Sequence, residues 1–321
     1  MSLNIVRAEE PIKVTAAKVM IYGQPGVGKT STAFTADTPL LIDCDKGAYR
    51  SGFRKDSVQV NSWSDIESIS AEDVAPYNTI VIDTGGRALD FLAQALMKEN
   101  PKLGYNGGLT LQGYGQLKVR FAAWASGLTL LGKDLVIVCH DVEKQRGDDT
   151  VFRPDVQGGS YGEIFKIADA VGYMYSGDDN HTVLDFNPTN KWEGKNSAQL
   201  PPIKVPNFNV EGDFFAGVLT KIKDSLNAMG EEAKQIADIV SGKRQDYSKM
   251  KTAKAFNEAL EELNTLPSMA KPSCKRLLWE RSKEAGLEFA DGKFKAAPKK
   301  NPEKKSEDDS ADSKDGDNAE K

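Results

Sequence analysis

Four short runs of consecutive apolar residues punctuate the first half of the chain. They are Val19-Met20-Ile21-Tyr22, Leu40-Leu41-Ile42-Asp43, Thr79-Ile80-Val81-Ile82-Asp83 and Asp134-Leu135-Val136-Ile137-Val138-Cys139. None alternates with polar residues, as strands buried on both faces of a parallel sheet would not. Between them, apolar residues return at helical spacing: Leu89, Leu92, Leu96 and Met97, then Leu117, Phe121, Trp124, Leu128 and Leu131. This alternation predicts an α/β domain with a mostly parallel central sheet covered by helices. Residues 171–175 and 182–186 flank Gly177-Asp178-Asp179-Asn180 and predict a hairpin.

After Asn187 the texture changes. Residues 187–212 hold four prolines and predict an extended, loop-rich excursion. Phe214, Val218, Ile222 and Leu226 mark a helix, and 231–290 continues in a helical pattern with Phe256, Leu260 and Leu263 on one face. From Pro298 the chain is Lys, Glu, Asp, Ser and Asn without large apolar residues, which predicts disorder. The expected organisation is a core over 1–212, a small helical C-terminal region over 213–297 and a disordered acidic tail over 298–321.

Composition narrows the class. At 39% hydrophobic and 28% charged residues the chain is ordinary globular material, and no apolar run approaches the ~18 residues of a membrane span. The first residues hold no signal-peptide core, so a cytoplasmic protein without a membrane partner is expected. Three cysteines and two histidines provide neither a disulfide framework nor a zinc set. The net charge of −5 is mostly the tail: residues 301–321 carry eight acidic and four basic residues. A nucleic-acid partner would therefore have to be held by local basic segments.

The first apolar run leads into Gly23-Gln24-Pro25-Gly26-Val27-Gly28-Lys29-Thr30, followed by Ser31, a full match to G-x-x-x-x-G-K-[ST]. Glycines let backbone N–H groups turn inward onto phosphates, and the helix that follows adds its own free N–H groups and dipole. Lys29 would reach the β- and γ-phosphates and the Thr30 hydroxyl would ligate Mg²⁺. The expected ligands are ATP and Mg²⁺. Asp83, ending the third run, stands where a carboxylate holds the metal through water. Asp43 and Asp45 close the second run, and either is a candidate to orient the attacking water. His140, ending the fourth, is placed to touch the γ-phosphate or to serve structurally.

The order of these pieces resembles the core of RecA-type P-loop ATPases. More narrowly, it resembles the short, core-only phage ATP-binding proteins that act as single-strand annealing proteins. The narrower likeness rests on Ile42-Asp43-Cys44-Asp45, Tyr77-Asn78-Thr79-Ile80-Val81-Ile82-Asp83-Thr84, Val138-Cys139-His140, Asp169-Ala170-Val171 and Lys191…Lys195-Asn196, and covers about 15–205. It implies a RecA-like fold, slow ATPase activity and a catalytic carboxylate at Asp45, where RecA proteins carry glutamate. It also implies a strand-end sensor at His140, and a phosphate contact with a neighbouring subunit from Lys191 or Lys195.

The same resemblance places DNA-binding loops after the third and fourth strands. Residues 101–115 contain Lys102, Tyr105 and Tyr114. Residues 141–162 contain Lys144, Arg146, Phe152, Arg153 and Tyr161. Cations that follow phosphates and aromatics that stack on bases suit single-stranded DNA. Assembly as a ring or filament is expected, with a single-strand-binding protein as a further candidate partner and the host cytoplasm as location if the gene is phage-borne. About 17 residues precede the first strand; no separate N-terminal domain is expected, so annealing in phage recombination is favoured over strand exchange. The rival readings are an AAA+-type motor or loader acting on a protein partner in DNA replication, a small-molecule kinase, and a regulatory module that holds nucleotide without hydrolysis.

Overall fold

The computed structural model describes residues 13–147, 149–156, 160–178 and 181–296. The first strands and helices are β1 (Lys18–Gly23), α1 (Lys29–Ala33), β2 (Pro39–Asp43), β3 (Ser57–Gln59), α2 (Trp63–Glu67), α3 (Ala71–Val74), β4 (Thr79–Asp83) and α4 (Gly85–Glu99). They are followed by β5 (Gly104–Tyr105), β6 (Gly108–Leu109), α5 (Leu111–Leu130), β7 (Asp134–Arg146), β8 (Asp149–Pro154) and α6 (Ser160–Ile167). Next come β9 (Ala170–Ser176), β10 (Thr182–Asp185), β11 (Lys195–Asn196), β12 (Ile203–Lys204) and α7 (Phe214–Lys249). The chain closes with α8 (Ala253–Glu262), α9 (Lys271–Glu284), β13 (Leu287–Ala290) and β14 (Lys293–Ala296).

Ten strands form the central sheet. Its main path runs β12-β10-β9-β1-β7-β4-β2-β3, with β11 paired to β9 and β8 to β7. The six strands from β9 to β3 along that path pair in parallel, and the antiparallel pairs are confined to β7–β8 and the β9 side of the sheet. The expected α/β architecture with a mostly parallel central sheet is therefore present, including the β9–β10 hairpin.

The uninterrupted apolar runs follow from a core on each face. Successive side chains of a strand point to opposite sides. Met20, Tyr22, Ile80, Ile82, Leu135 and Ile137 pack with Trp63, Phe121 and Leu92 beneath α2, α4 and α5. Val19, Ile21, Val81, Val136 and Val138 pack on the other side with Phe34, Phe215, Val218 and Ile222.

Several boundaries differ from the sequence reading. Among the described residues the compact units are 13–232 and 233–296, so the division falls inside α7 rather than at 213. The reason is packing: the stripe Phe215, Val218, Leu219 and Ile222 at the start of α7 completes a sheet face. Residues 141–154 are not a loop but a continuation of β7 that turns back through β8. Residues 101–115 hold a small β5–β6 hairpin around Asn106-Gly107, and α5 already begins at Leu111. In the second unit the helical pattern stops short of 290. Asp291 and Gly292 adopt positive φ and reverse the chain between β13 and β14, as a two-residue hairpin turn requires. That unit has its own core of Tyr247, Phe256, Ala259, Leu263, Cys274, Leu278 and Phe294. Residues 297–321, where the acidic tail was expected, lie outside the described residues. No helix among the described residues is long and apolar enough to cross a membrane.

Two glycine substitutions test this packing. A Cβ on Gly85 would meet Ile137 Cγ2 at 2.5 Å and Cys139 Sγ at 3.2 Å, whereas one on Gly115, within α5, would meet nothing within 4 Å. Gly85→Ala should lower thermal stability by several degrees, at about 1–3 kcal/mol for overpacking. Gly115→Ala should raise it slightly, by about 0.5–1 kcal/mol. Melting curves of the two variants check both signs.

Candidate nucleotide site

Register brings the site residues together. β1 lies between β9 and β7, and β7 lies between β1 and β4. Gly23 is level with His140, Asp83 with Val138, and Asp43 with Asp83. The loop after β1, His140, Asp83 and the Asp43–Asp45 segment thus share the carboxyl end of the sheet, where open parallel sheets place their ligands.

The loop itself is shaped by its glycines. Gly26 and Gly28 adopt φ of +83° and +98°, and the space a Cβ would take at each is open. Gly23 is constrained differently: a Cβ there would lie 2.2 Å from the Met174 carbonyl oxygen of β9. Lys29 is buried and its ammonium donates to the Gly23 and Gln24 carbonyls, both at 2.8 Å. Burial lowers its pKa, an effect opposed by Asp83. Gln24 and Val27 complete the loop, with Val27 packed toward the sheet. Ser31 turns to Ser51, 3.2 Å away.

Thr30 Oγ1 donates to Asp83 Oδ2 at 2.5 Å. Burial pushes the Asp83 carboxyl up to about 6; the Thr30 hydrogen bond and Lys29 oppose that rise, while Asp45 and Asp43 add to it. The Asp83–Thr84 peptide is cis. Beyond Asp83, His140 Nε2 lies 3.7 Å from Asp45 Oδ2, too long for a hydrogen bond but close for an ion pair. His140 is the largest influence holding the Asp45 carboxyl below the usual range, with Thr84 and Arg87 contributing.

Hydrogen bonding sets Asp43 and Asp45 apart. Asp43 is buried and accepts from the Gly47 and Ala48 N–H groups and from Gln59 Nε2, at 3.0, 3.1 and 2.6 Å. It braces the turn after β2. Asp45 instead lines a cleft of about 270 Å³ together with Gly26, Gly28, Lys29, Thr30, Asp83, Thr84 and His140. Thr84, Ser51 and Arg87 were missed by sequence reading. Thr84 had a legible signal, a hydroxyl residue directly before the helix it caps by accepting from Arg87 N at 3.4 Å.

Other expected residues fall into different roles. Lys195 donates to the Lys166 and Ala168 carbonyls at the C-terminal end of α6. The Phe152 ring stacks on Tyr173, centroids 5.8 Å apart, within a cluster that includes Trp192 and Tyr175. It is a packing residue, because β8 turns it toward the sheet. Lys144 and Arg146 are exposed on β7. Their registers opposite Val151 and Asp149, with Arg153 opposite Val142, put Lys144, Arg146 and Arg153 on one face of the hairpin. Lys102 and Tyr105 are exposed, and Tyr114 is half-buried in the first turn of α5. The side chain of Tyr161 lies outside the described residues.

The fold and the loop at its strand ends define a P-loop ATPase. The chain belongs to the AAA domain family, whose model matches residues 15–198. Among solved structures, similarity is found to that described as "Structural and biochemical analysis of a prototypical ATPase from the type III secretion system of pathogenic bacteria". The identity is 11% and the TM-score 0.33, over 50% of this chain and 51% of that one. The chain thus spans about half the length of that structure. No curated protein matches the sequence.

The residues fit a nucleotide with a divalent cation. The open cradle at Gly26 and Gly28 gives phosphates access to backbone N–H groups, and a hydroxyl beside a carboxylate supplies the hard oxygen donors Mg²⁺ prefers. A consequence concerns the nucleotide-free protein. The folded state binds the Asp83 proton more tightly than the unfolded chain does. Between about pH 4 and 6 the contribution of this group to stability therefore falls as pH rises, by about 2–3 kcal/mol in total. Asp83→Asn should raise the melting temperature of nucleotide-free protein by several degrees at pH 8 and leave it unchanged at pH 4. Equal shifts at both pH values would contradict the assignment of the cost to ionisation.

Proposed function

We propose that this protein is a Mg²⁺-dependent ATPase that binds single-stranded DNA in a nucleotide-linked way and promotes annealing of complementary strands, as in phage recombination. The observation that carries the reading is continuity: β7 runs from His140, in the nucleotide cleft, directly into a hairpin with Lys144, Arg146 and Arg153 on one face. A change felt at His140 is thus one residue from the start of a hairpin that exposes Lys144 and Arg146 to solvent.

The chemistry assigns a role to each side chain. Lys29, released from the loop carbonyls, neutralises β- and γ-phosphate charge. The Thr30 hydroxyl and Asp83 are the groups that would hold Mg²⁺, which supplies charge neutralisation when bound. Asp45 orients the attacking water. A carboxylate held at low pKa is a weak base, which supports slow turnover. His140, beside Asp45, stands where loss of the terminal phosphate would alter its pairing. ATP would sit between subunits of a ring or filament.

Lys29→Ala should lose ATP binding and drop turnover by about 100-fold or more; ordinary ATPase activity in that variant would refute the site. The DNA reading is tested by fluorescence anisotropy of a labelled single-stranded oligonucleotide, with and without Mg²⁺-ATP, at two salt concentrations. Binding should require nucleotide, weaken with salt, and fall several-fold in Lys144→Ala/Arg146→Ala. An intact ATPase that binds no single strand in either state would remove the DNA reading in favour of a motor acting on a protein partner.

A further inference from the structure

None of the residues lining the nucleotide cleft comes from 233–296, and that stretch has an order of elements with its own meaning. The C-terminal part of α7, then α8, then α9, share one core and are followed at once by the β13–β14 hairpin. Three helices, the last two joined by residues 263–270 with a 3-10 turn at Leu263–Thr265, and a terminal two-stranded ribbon follow the element order of a winged helix-turn-helix module, with a longer connection than the usual turn. In helix-turn-helix proteins the later, recognition helix enters the DNA major groove. We propose that residues 233–296 form such a module and bind duplex DNA through the outward face of α9 and the outer face of the hairpin.

The geometry decides which side chains face out. Cys274, Leu278 and Ser282 are the buried residues of α9, spaced four apart, and fix its inner face. Arg276 and Lys283, seven residues apart, share the opposite, exposed stripe. Lys275 flanks it, its ammonium 5.2 Å from the centre of the Trp279 ring. On the hairpin Phe289 pairs with Phe294, and Phe294 is buried against Phe256 and Trp279. By the two-residue period of a strand, Lys293 and Lys295 then share the outer face.

Charge complementarity points to phosphate as the ligand. Residues 271–296 hold seven basic and four acidic residues, while the whole chain carries −5. The acidic side chains do not cancel the surface. Arg276–Glu280 at 3.8 Å and Lys295–Asp291 at 2.7 Å are exposed pairs within one helix or turn, worth little and readily exchanged for phosphate. Glu288 stands opposite Lys295 on the hairpin, and Glu284 pairs with Arg281. With 14 residues, α9 is about 21 Å long, and it fits a B-form major groove about 12 Å wide. The deep, narrow major groove of duplex RNA would not admit it.

The test uses the full chain and a labelled DNA duplex of about 20 base pairs, titrated without nucleotide over a range of salt. Arg276→Ala/Lys283→Ala/Lys293→Ala removes three exposed cations, and an unchanged melting temperature verifies its fold. The variant should bind duplex at least about tenfold more weakly, with a plot of log affinity against log salt shallower by about 3. Its ATPase activity and ATP-dependent single-strand binding should match wild type. A wild-type chain that ignores duplex, a variant that binds it normally, or an equal loss on single and double strands would each overturn the proposal. The reading of the β7–β8 hairpin fails separately, since Lys144→Ala/Arg146→Ala should affect single strands alone.

Discussion

A parallel sheet covered on both faces leaves polar chemistry one place to go, the ends of its strands. Here Trp63, Phe121 and Leu92 close one face and Phe34, Phe215 and Val218 the other. Charged groups along β1, β4 or β7 would have no water and no partner. At the carboxyl ends the backbone leaves the sheet, and there Lys29, Asp83, Asp45 and His140 meet. Their alignment needs no special contacts of its own. It follows from the parallel registers of β1, β7, β4 and β2, which hold Gly23 level with His140, and Asp43 and Asp83 level with Val138, two residues before His140.

This explains which parts of the molecule were legible in the sequence. The four buried strands announce themselves because burial on both faces demands unbroken apolar runs, and the phosphate loop because glycine at set spacing has few other uses. What could not be read was the partition of like residues between roles. Asp43 and Asp45 are two apart in sequence. Only the turn at Gly47 and Ala48 and the reach of Gln59 show that Asp43 is spent on the backbone and Asp45 is left to the cleft. Phe152 has the composition of a base-stacking residue, but the register of β8 turns it onto Tyr173.

The misread elements share a cause. In residues 141–154, 101–115 and 287–296 the glycines, charges and helical spacing predict loop or helix. All three contain hairpins whose strands are short or exposed, so that no buried face writes a pattern into the sequence. Two of them carried a turn signal nonetheless, Asn106-Gly107 and Asp291-Gly292, both with positive φ. The start of α7 erred in the opposite sense. Its stripe was plain, but a stripe does not name the surface it packs against, and Phe215 and Ile222 proved to belong to the sheet rather than to the helical unit.

The buried charges tie the fold to the ligand. Burial pushes the Asp83 carboxyl up and the Lys29 ammonium down, so each would be easier to keep neutral. Among the described residues neither is relieved by a direct ion pair: Lys29 donates to loop carbonyls, and Asp83 accepts a hydroxyl hydrogen bond from Thr30. A site arranged this way is under-satisfied without its ligand, and anything that brings anionic phosphate to Lys29 and a cation to Asp83 recovers part of the desolvation cost. Asp45 differs, because His140 and Thr84 already stabilise its charge. The groups proposed to bind are thus the destabilised ones, and the group proposed to orient water is held ready before the ligand arrives. That division is what a site needs if binding is to be tight while the hydrolytic step stays slow.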